Sequence, residues 1–98
     1  MTFTVLLEAQ VKADAPDVPG ILREVLAQTA AFPGNEGLEV LVDDDDSTKL
    51  LGVEKWESVE ARNAYIAWRA TPEGANALGT IMAAPPVFRT FENTIPLS

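Results

Sequence analysis

Hydrophobic and polar positions alternate along the first stretch of the chain, as they do in a β-strand. From Phe3 to Val11 the apolar residues fall on one face and mainly polar residues on the other. From Val18 to Thr29 the apolar residues instead recur every three or four positions, and Asp17 stands where a helix cap is expected. The pattern predicts a strand and then an amphipathic helix, which ends at Phe32-Pro33-Gly34.

Two short apolar runs, Leu38–Val42 and Lys49–Glu57, follow this helix and read as strands. The polar link Asp43–Ser47 is too short for a crossover, so the two strands should pair as an antiparallel hairpin. Ser58 then offers a helix cap. The apolar stripe of the helix it starts consists of Ala61, Ala64, Tyr65 and Trp68.

The last part of the pattern predicts a weak helix and a final strand. Thr71-Pro72-Glu73 has the signals of a helix start, whereas Gly74 and Gly79 weaken the segment that follows. The stretch Val87–Ile95 reads as a strand. The resulting order, β-α-β-β-α-β, predicts one α+β domain over residues 1–98, a ferredoxin-like fold with a four-stranded antiparallel sheet and helices on one face.

Several predicted strands are apolar on both faces, as at Leu6-Leu7 and Leu50-Leu51. A sheet with helices on only one side does not need apolar residues on the other, unless a second layer covers it. We therefore expect a homodimer, in which a second copy of the chain supplies that cover.

Composition narrows the chemistry. The 7 basic and 15 acidic residues give a net charge of −8, and the basic residues are scattered, so we expect neither nucleic acid nor membrane surfaces as partners. The chain contains no Cys and no His, which removes disulfides, thiolate nucleophiles and the commonest metal ligands. The run Asp43–Asp46 lacks the spacing of a calcium loop, and we predict no metal site.

Neither a signal peptide nor a membrane span is visible in the sequence, so we expect a cytoplasmic protein.

The stretch from Pro33 to Gly74 resembles the antibiotic biosynthesis monooxygenase family. The resemblance rests on Pro33-Gly34-Asn35, on Gly37-Leu38-Glu39-Val40, and above all on Val53–Ala61, which is similar to the family's E-x-W-x-S-x-E-A segment. It implies a dimeric α+β barrel, formed by two sheets packed face to face. For members that oxidise aromatic phenols to quinones, it also implies catalysis without metal or flavin, because the deprotonated substrate reduces molecular oxygen itself.

The same resemblance implies two catalytic residues. Trp56 matches the tryptophan that lines the family's substrate pocket, where an indole can stack on an aromatic ring. Tyr65 corresponds to a family histidine, although a phenol is a poor general base at neutral pH. Gly52 stands where quinone-forming members have an asparagine, which weakens the case for quinone formation. The alternative is that both aromatic residues belong to the core.

Four further residues are candidates for binding a substrate: Glu54, Asn63, Trp68 and Arg89. Glu54 shares a strand face with Trp56, where a carboxylate in an apolar setting could exchange a proton. The alternative for Glu54 is an ion pair, with Arg89 or with a basic residue of a partner chain. Trp68, as a helical aromatic residue, has a core role as its alternative.

Two hypotheses about function follow. The first is a cofactor-independent monooxygenase that oxidises an aromatic, polyketide-like or quinol-like small molecule with molecular oxygen. The second is a noncatalytic dimeric domain of the same fold, which binds a small molecule or serves in assembly. The lack of histidine excludes the haem-degrading and histidine-dependent isomerase activities that the same fold hosts.

Overall fold

The computed structural model describes residues 2–97 and has the predicted order of elements. The strands are β1 (Phe3–Gln10), β2 (Asn35–Val42), β3 (Lys49–Trp56) and β4 (Val87–Phe91). The helices are α1 (Val18–Ala31), α2 (Val59–Arg69) and the short α3 (Leu78–Ile81), with a 3-10 turn at Pro72–Gly74. The strands form one antiparallel sheet in the order β2-β3-β1-β4, so the fold is ferredoxin-like α+β.

Local sequence signals fix where the two long helices begin. Asp17 caps α1, its carboxylate accepting a hydrogen bond of 3.2 Å from the Gly20 N–H. Ser58 caps α2 in the same way, with a bond of 3.0 Å from the Ala61 N–H. Gly34 lies between α1 and β2 with a φ of 93°, and a Cβ there would lie 2.5 Å from the Ala61 Cβ. A glycine is therefore needed where this turn meets α2.

The structure shortens two of the predicted elements. The last strand ends at Phe91 rather than at Ile95, because Phe91 pairs with Thr4 and β1 itself begins at Phe3. The predicted third helix is reduced to the 3-10 turn and the four residues of α3, whose cap Ala77 makes no side-chain hydrogen bond. Within residues 2–97 no helix has the length and the apolar character that crossing a lipid bilayer requires.

One face of the sheet is covered and the other is open. The covered face carries the core cluster Phe3, Val5, Trp56 and Tyr65, against which Phe32, Val59, Ala61 and Trp68 pack. The extents are 44 × 35 × 19 Å, and the shortest one matches a single sheet with one layer of helices. By the strand register, the apolar residues of the open face are Leu6, Leu41, Leu51, Val53, Val87 and Phe91.

Candidate functional site

A small apolar cavity lies between the covered face of the sheet and the helices α1 and α3. Its volume is about 40 Å³. Because a water molecule needs roughly 10–15 Å³ of such space, the cavity corresponds to a few water molecules. The walls are aliphatic and come from strands and helices alike: Leu7, Leu22, Leu26, Val40, Leu78 and Met82. Such a lining favours an apolar ligand over bound water.

Two acidic residues are among those that line this cavity, Glu39 of β2 and, on the covered face of the sheet, Glu54 of β3. Glu54 is only 7% exposed, and the alternation of β3 places it on the covered face together with Trp56. The indole Nε1–H of Trp56 donates a hydrogen bond of 3.0 Å to Oε1 of Glu54. The tryptophan therefore orients the one titratable side chain that borders the cavity from the covered face.

Gly52 is the next residue of β3 on the covered face, and it also lines the cavity. It is buried, and a Cβ built on it would lie 3.4 Å from the Cβ of Leu7. That separation is an ordinary van der Waals contact, so the site has room for one more methyl group. The missing side chain of Gly52 thus leaves part of the cavity floor open.

The two residues predicted to be catalytic belong to an aromatic cluster beside the cavity, and neither is part of its lining. Trp56 is fully buried, and its ring centroid lies 5.1 Å from that of Tyr65. Phe32 packs against both, with centroid distances of 6.3 Å to Trp56 and 5.4 Å to Tyr65. Trp68 is half-buried on the same cluster, 5.6 Å from Phe32. These are the contacts of core residues, the role that was the alternative prediction for Trp56, Tyr65 and Trp68.

Arg69 organises this cluster, and the sequence reasoning missed it. Its Nε–H donates to the hydroxyl of Tyr65 at 2.8 Å, and Nη2 donates to the carbonyl of Val25 at 2.9 Å and to the hydroxyl of Thr29 at 3.1 Å. Nη1 donates to the carbonyl of Gly74 at 3.2 Å. One guanidinium therefore ties α2 to α1 and to the 3-10 turn. The four-residue spacing from Tyr65 to Arg69 was the available signal, since such pairs are neighbours on a helix.

The remaining predicted binding residues lie away from the cavity. Asn63 is exposed on α2. Arg89 is exposed on the open face, because it pairs with Leu6 whereas Glu54 pairs with Val5, and neighbouring residues of β1 point to opposite faces. The predicted ion pair between Glu54 and Arg89 of one chain is therefore wrong: the sheet itself separates the two side chains.

The acidic hairpin between β2 and β3 is held by its own hydrogen bonds. Asp43 Oδ2 accepts from the N–H groups of Asp45 and Asp46, each at 3.0 Å. The hydroxyl of Thr48 donates to Asp46 at 2.6 Å, and this bond, more than the backbone N–H of Thr48, holds the pKa of Asp46 below its ordinary value. In the part of the chain that the structure describes, no group of three His, Cys, Asp or Glu residues is placed to hold a metal ion.

Together the fold and the cavity define a small ferredoxin-like domain with an internal apolar pocket bordered by a single carboxylate on the covered face. A family model described as antibiotic biosynthesis monooxygenase matches residues 2–78. The chain belongs to the antibiotic biosynthesis monooxygenase family. No curated protein matches it.

Solved structures agree with the fold over nearly the whole chain. Rv0793 from Mycobacterium tuberculosis is 18% identical with a TM-score of 0.77, and 100% of each chain is covered. A conserved protein from Methanosarcina mazei Go1 is 13% identical with a TM-score of 0.78, covering 96% of this chain and 94% of that one. SnoaB, a cofactor-independent oxygenase from Streptomyces nogalater, is 18% identical with a TM-score of 0.76, and 97% of each chain is covered. At these identities the likeness shows the fold alone.

Proposed function

We propose that the protein is a cofactor-independent monooxygenase that oxidises a small aromatic substrate, of quinol or anthrone type, in the cavity between the sheet and the helices α1 and α3. The observation that carries the proposal is the buried carboxylate of Glu54, which borders an apolar cavity and is oriented by the indole of Trp56. Membership of the family and the fold shared with SnoaB support the same activity.

Glu54 supplies the proton acceptor that this chemistry needs. Removing a proton from a phenol or from the activated methylene of an anthrone gives an electron-rich anion that passes electrons to molecular oxygen. At a methylene, the two C–H bonds are replaced by a C=O bond, one oxygen atom enters the product, and the other leaves as water. The substrate supplies all four electrons. The protein binds and orients the substrate, and Glu54 takes the first proton.

The aliphatic walls of the cavity set the environment in which the carboxylate of Glu54 would act. They exclude water from the site, so a reactive anion would meet oxygen rather than a proton from solvent. In this role Trp56 is a positioning residue, because it acts on the substrate through Glu54. Since an apolar cavity of about 150 Å³ is the scale that holds one benzene ring, the cavity must widen to take a substrate. The short α3, of four residues, is the element of the wall best suited to move.

The proposal includes a homodimer formed through the open face of the sheet. Contiguous apolar residues run across that face on all four strands, and Val87 and Leu41 are 56% and 46% exposed. Exposed apolar patches of this kind mark association sites. A second sheet packed on the first would cover the patch, as the family resemblance implies.

Oxygen uptake tests the activity. In buffer treated with a chelator, the protein should consume oxygen with at least one member of a panel of hydroquinones and anthrones. Glu54→Gln keeps the size and the hydrogen bond to Trp56 but cannot take the proton, so turnover should fall by about 10²-fold or more. Glu57→Gln, at an exposed position just beyond β3, is the matched control and should keep full turnover. No uptake with any substrate by the folded dimer would overturn the proposal.

A noncatalytic small-molecule-binding domain is the second candidate. The observation that favours it is the closed packing around Trp56 and Tyr65, which leaves both side chains engaged within the core. For this function the same panel should shift the NMR signal of the Met82 methyl group in the cavity wall without any oxygen uptake. Oxygen consumption that depends on Glu54 would exclude it.

A further inference from the structure

The floor of the cavity is polar at one end and apolar at the other. Glu54, Gly52 and Leu50 follow one another on the covered face of β3, and all three line the cavity. Neighbouring residues on one face of a strand lie about 7 Å apart, so the floor extends for about 13 Å from Glu54 to Leu50. The carboxylate of Glu54 therefore stands at one end of this floor.

The middle of the floor is a gap between two aliphatic side chains. Gly52 pairs with Leu7 of β1 on one side and with Val40 of β2 on the other. The register thus places a side chain on each flank of a position that has none. A flat ring can approach the backbone of β3 more closely here than at Glu54 or at Leu50.

Among the described residues that line the cavity, Glu54 offers the polar group that a ligand on the floor can reach. β3 is an inner strand between β2 and β1, so its backbone N–H and C=O groups are engaged in the two ladders. Glu39 also lines the cavity, but it pairs with Val53 on the open face and is exposed, so water solvates its carboxylate. The helices cover the floor with aliphatic and thioether side chains, those of Leu22, Leu26, Leu78 and Met82.

We propose that the cavity binds a phenol that has a single hydroxyl group and an apolar substituent in the para position. The hydroxyl group donates to Glu54, whose carboxylate accepts one hydrogen bond from Trp56 and keeps further acceptor positions. The ring lies on Gly52, and the substituent continues along β3 to Leu50. The inference rests on the proposed function, whose cavity and base it uses, and it names the substrate class of that site. Among quinols, this class contains the monoethers, in which the second oxygen carries an apolar chain.

A second hydroxyl group in the para position would lie among aliphatic side chains. When the first hydroxyl group is on Glu54, the para position lies beyond Gly52, towards Leu50 and its partner Ala9 on β1. A buried hydroxyl group without a partner is unfavourable there, whereas a methyl group of similar size adds buried apolar area. A substituent in the meta position would instead meet the side chains that flank Gly52.

A series of phenols tests this preference on the unmodified protein. Titrations under nitrogen, where no turnover occurs, are followed by the NMR signal of the Met82 methyl group in the cavity wall. The cost of widening the cavity is the same for para-methylphenol and hydroquinone, and we expect para-methylphenol to bind about tenfold more tightly. Lengthening the para group to ethyl and propyl should tighten binding by about three- to fourfold per carbon. The equally apolar meta-alkylphenols are the matched controls and should gain less than about twofold per carbon.

A substitution at the far end of the floor tests the orientation of the ligand. Ala9→Leu fills the space beside Leu50, so it should remove the gain from the ethyl and propyl groups. Phenol itself should keep its affinity to within about twofold. Ala30→Leu, at an exposed position of α1, is the control and should leave the whole series unchanged.

The outcomes separate this inference from the proposed function. Equal affinities for hydroquinone and para-methylphenol, equal gains in the para and meta series, or no binding of any phenol would overturn the inference. Oxygen uptake without a para preference would refute the inference and leave the oxygenase in place. Binding in the expected order without oxygen uptake would support the ligand class and refute the oxygenase.

Discussion

The hydrogen bond from Trp56 to Glu54 leads to a quantitative prediction about stability. Trp56→Phe keeps an aromatic ring in the core but removes the N–H that donates to the buried carboxylate at 3.0 Å. The smaller ring should cost about 1–3 kcal/mol of unfolding free energy, a fraction of what full truncation of a buried tryptophan costs. Leaving a nearly buried carboxylate without this donor should add about 1.5–3 kcal/mol.

A double-mutant cycle separates these two contributions. In a Glu54→Leu background no carboxylate is left without a donor, and Trp56→Phe also removes a buried indole N–H that has lost its acceptor, so the substitution should cost less than the packing part. The coupling between the two positions should then be at least about 1.5–3 kcal/mol. Urea unfolding at one fixed protein concentration, followed by far-UV circular dichroism, measures all four proteins and the control variants with the same reporter.

Trp68→Phe is the matched control for the cycle, because Trp68 is a half-buried indole that packs on Phe32 and Tyr65. Its cost should be the same with and without the Glu54 substitution. If Trp56→Phe also cost the same in both backgrounds, to within about 0.5 kcal/mol, the reasoning would be refuted. The indole would then be a packing residue only, and Glu54 would not depend on it.

Three further outcomes follow from the structure. Arg69→Lys cannot reproduce the guanidinium fork and should lower stability by about 2–3 kcal/mol in urea unfolding; a change below about 0.5 kcal/mol would contradict the network. Gly52→Ala places a methyl 3.4 Å from the Cβ of Leu7 and should keep or slightly raise the unfolding temperature while reducing any substrate binding; unchanged binding would show that the ligand lies elsewhere. Asp46, whose pKa is lowered chiefly by the Thr48 hydroxyl, contributes stability that is present above its unfolded pKa and is lost as pH falls through its lower folded pKa. An NMR titration should find that Thr48→Val moves the pKa of Asp46 back upward, and no movement would exclude the hydroxyl as the cause.

The order of elements was accessible from the sequence because local signals and hydrophobic period agree. Asp17 and Ser58 cap the helices they were expected to cap, and the hairpin of β2 and β3 follows from its short polar link. The pattern of apolar positions could not tell where the last strand ends. β4 ends where its partner strand β1 begins. Its length is therefore set by the length of β1 and not by the residue types of β4 itself.

The candidate site was only partly predictable, for a related reason. Alternation along β3 correctly placed Glu54 and Trp56 on one face of the sheet. Residues two positions apart on one strand face are neighbours, which allows the hydrogen bond between them. The sequence alone does not show which residues of β4 share a face with which residues of β3. For this reason it could not show that Arg89 and Glu54 lie on opposite faces of the sheet. The network of Arg69 depends on carbonyl groups of α1 and the 3-10 turn, which no side-chain pattern encodes.

The anchoring of α3 sets how its movement would change the cavity. The C-terminal end is fastened to β1, since the Lys12 N–H donates to the Ile81 carbonyl and the Ala83 N–H to the Gln10 carbonyl, each at 2.8 Å. The N-terminal end is held by local hydrogen bonds, from the Leu78 N–H to Oδ1 of Asn76 at 2.8 Å and from the Thr80 hydroxyl to the Ala77 carbonyl at 2.6 Å, and these bonds can move together with the helix. Displacement of α3 would then be a rotation about one fixed end. Its cost would enter the association rate of a ligand as a local unfolding equilibrium, so slow, temperature-sensitive binding is the kinetic signature of such an entrance.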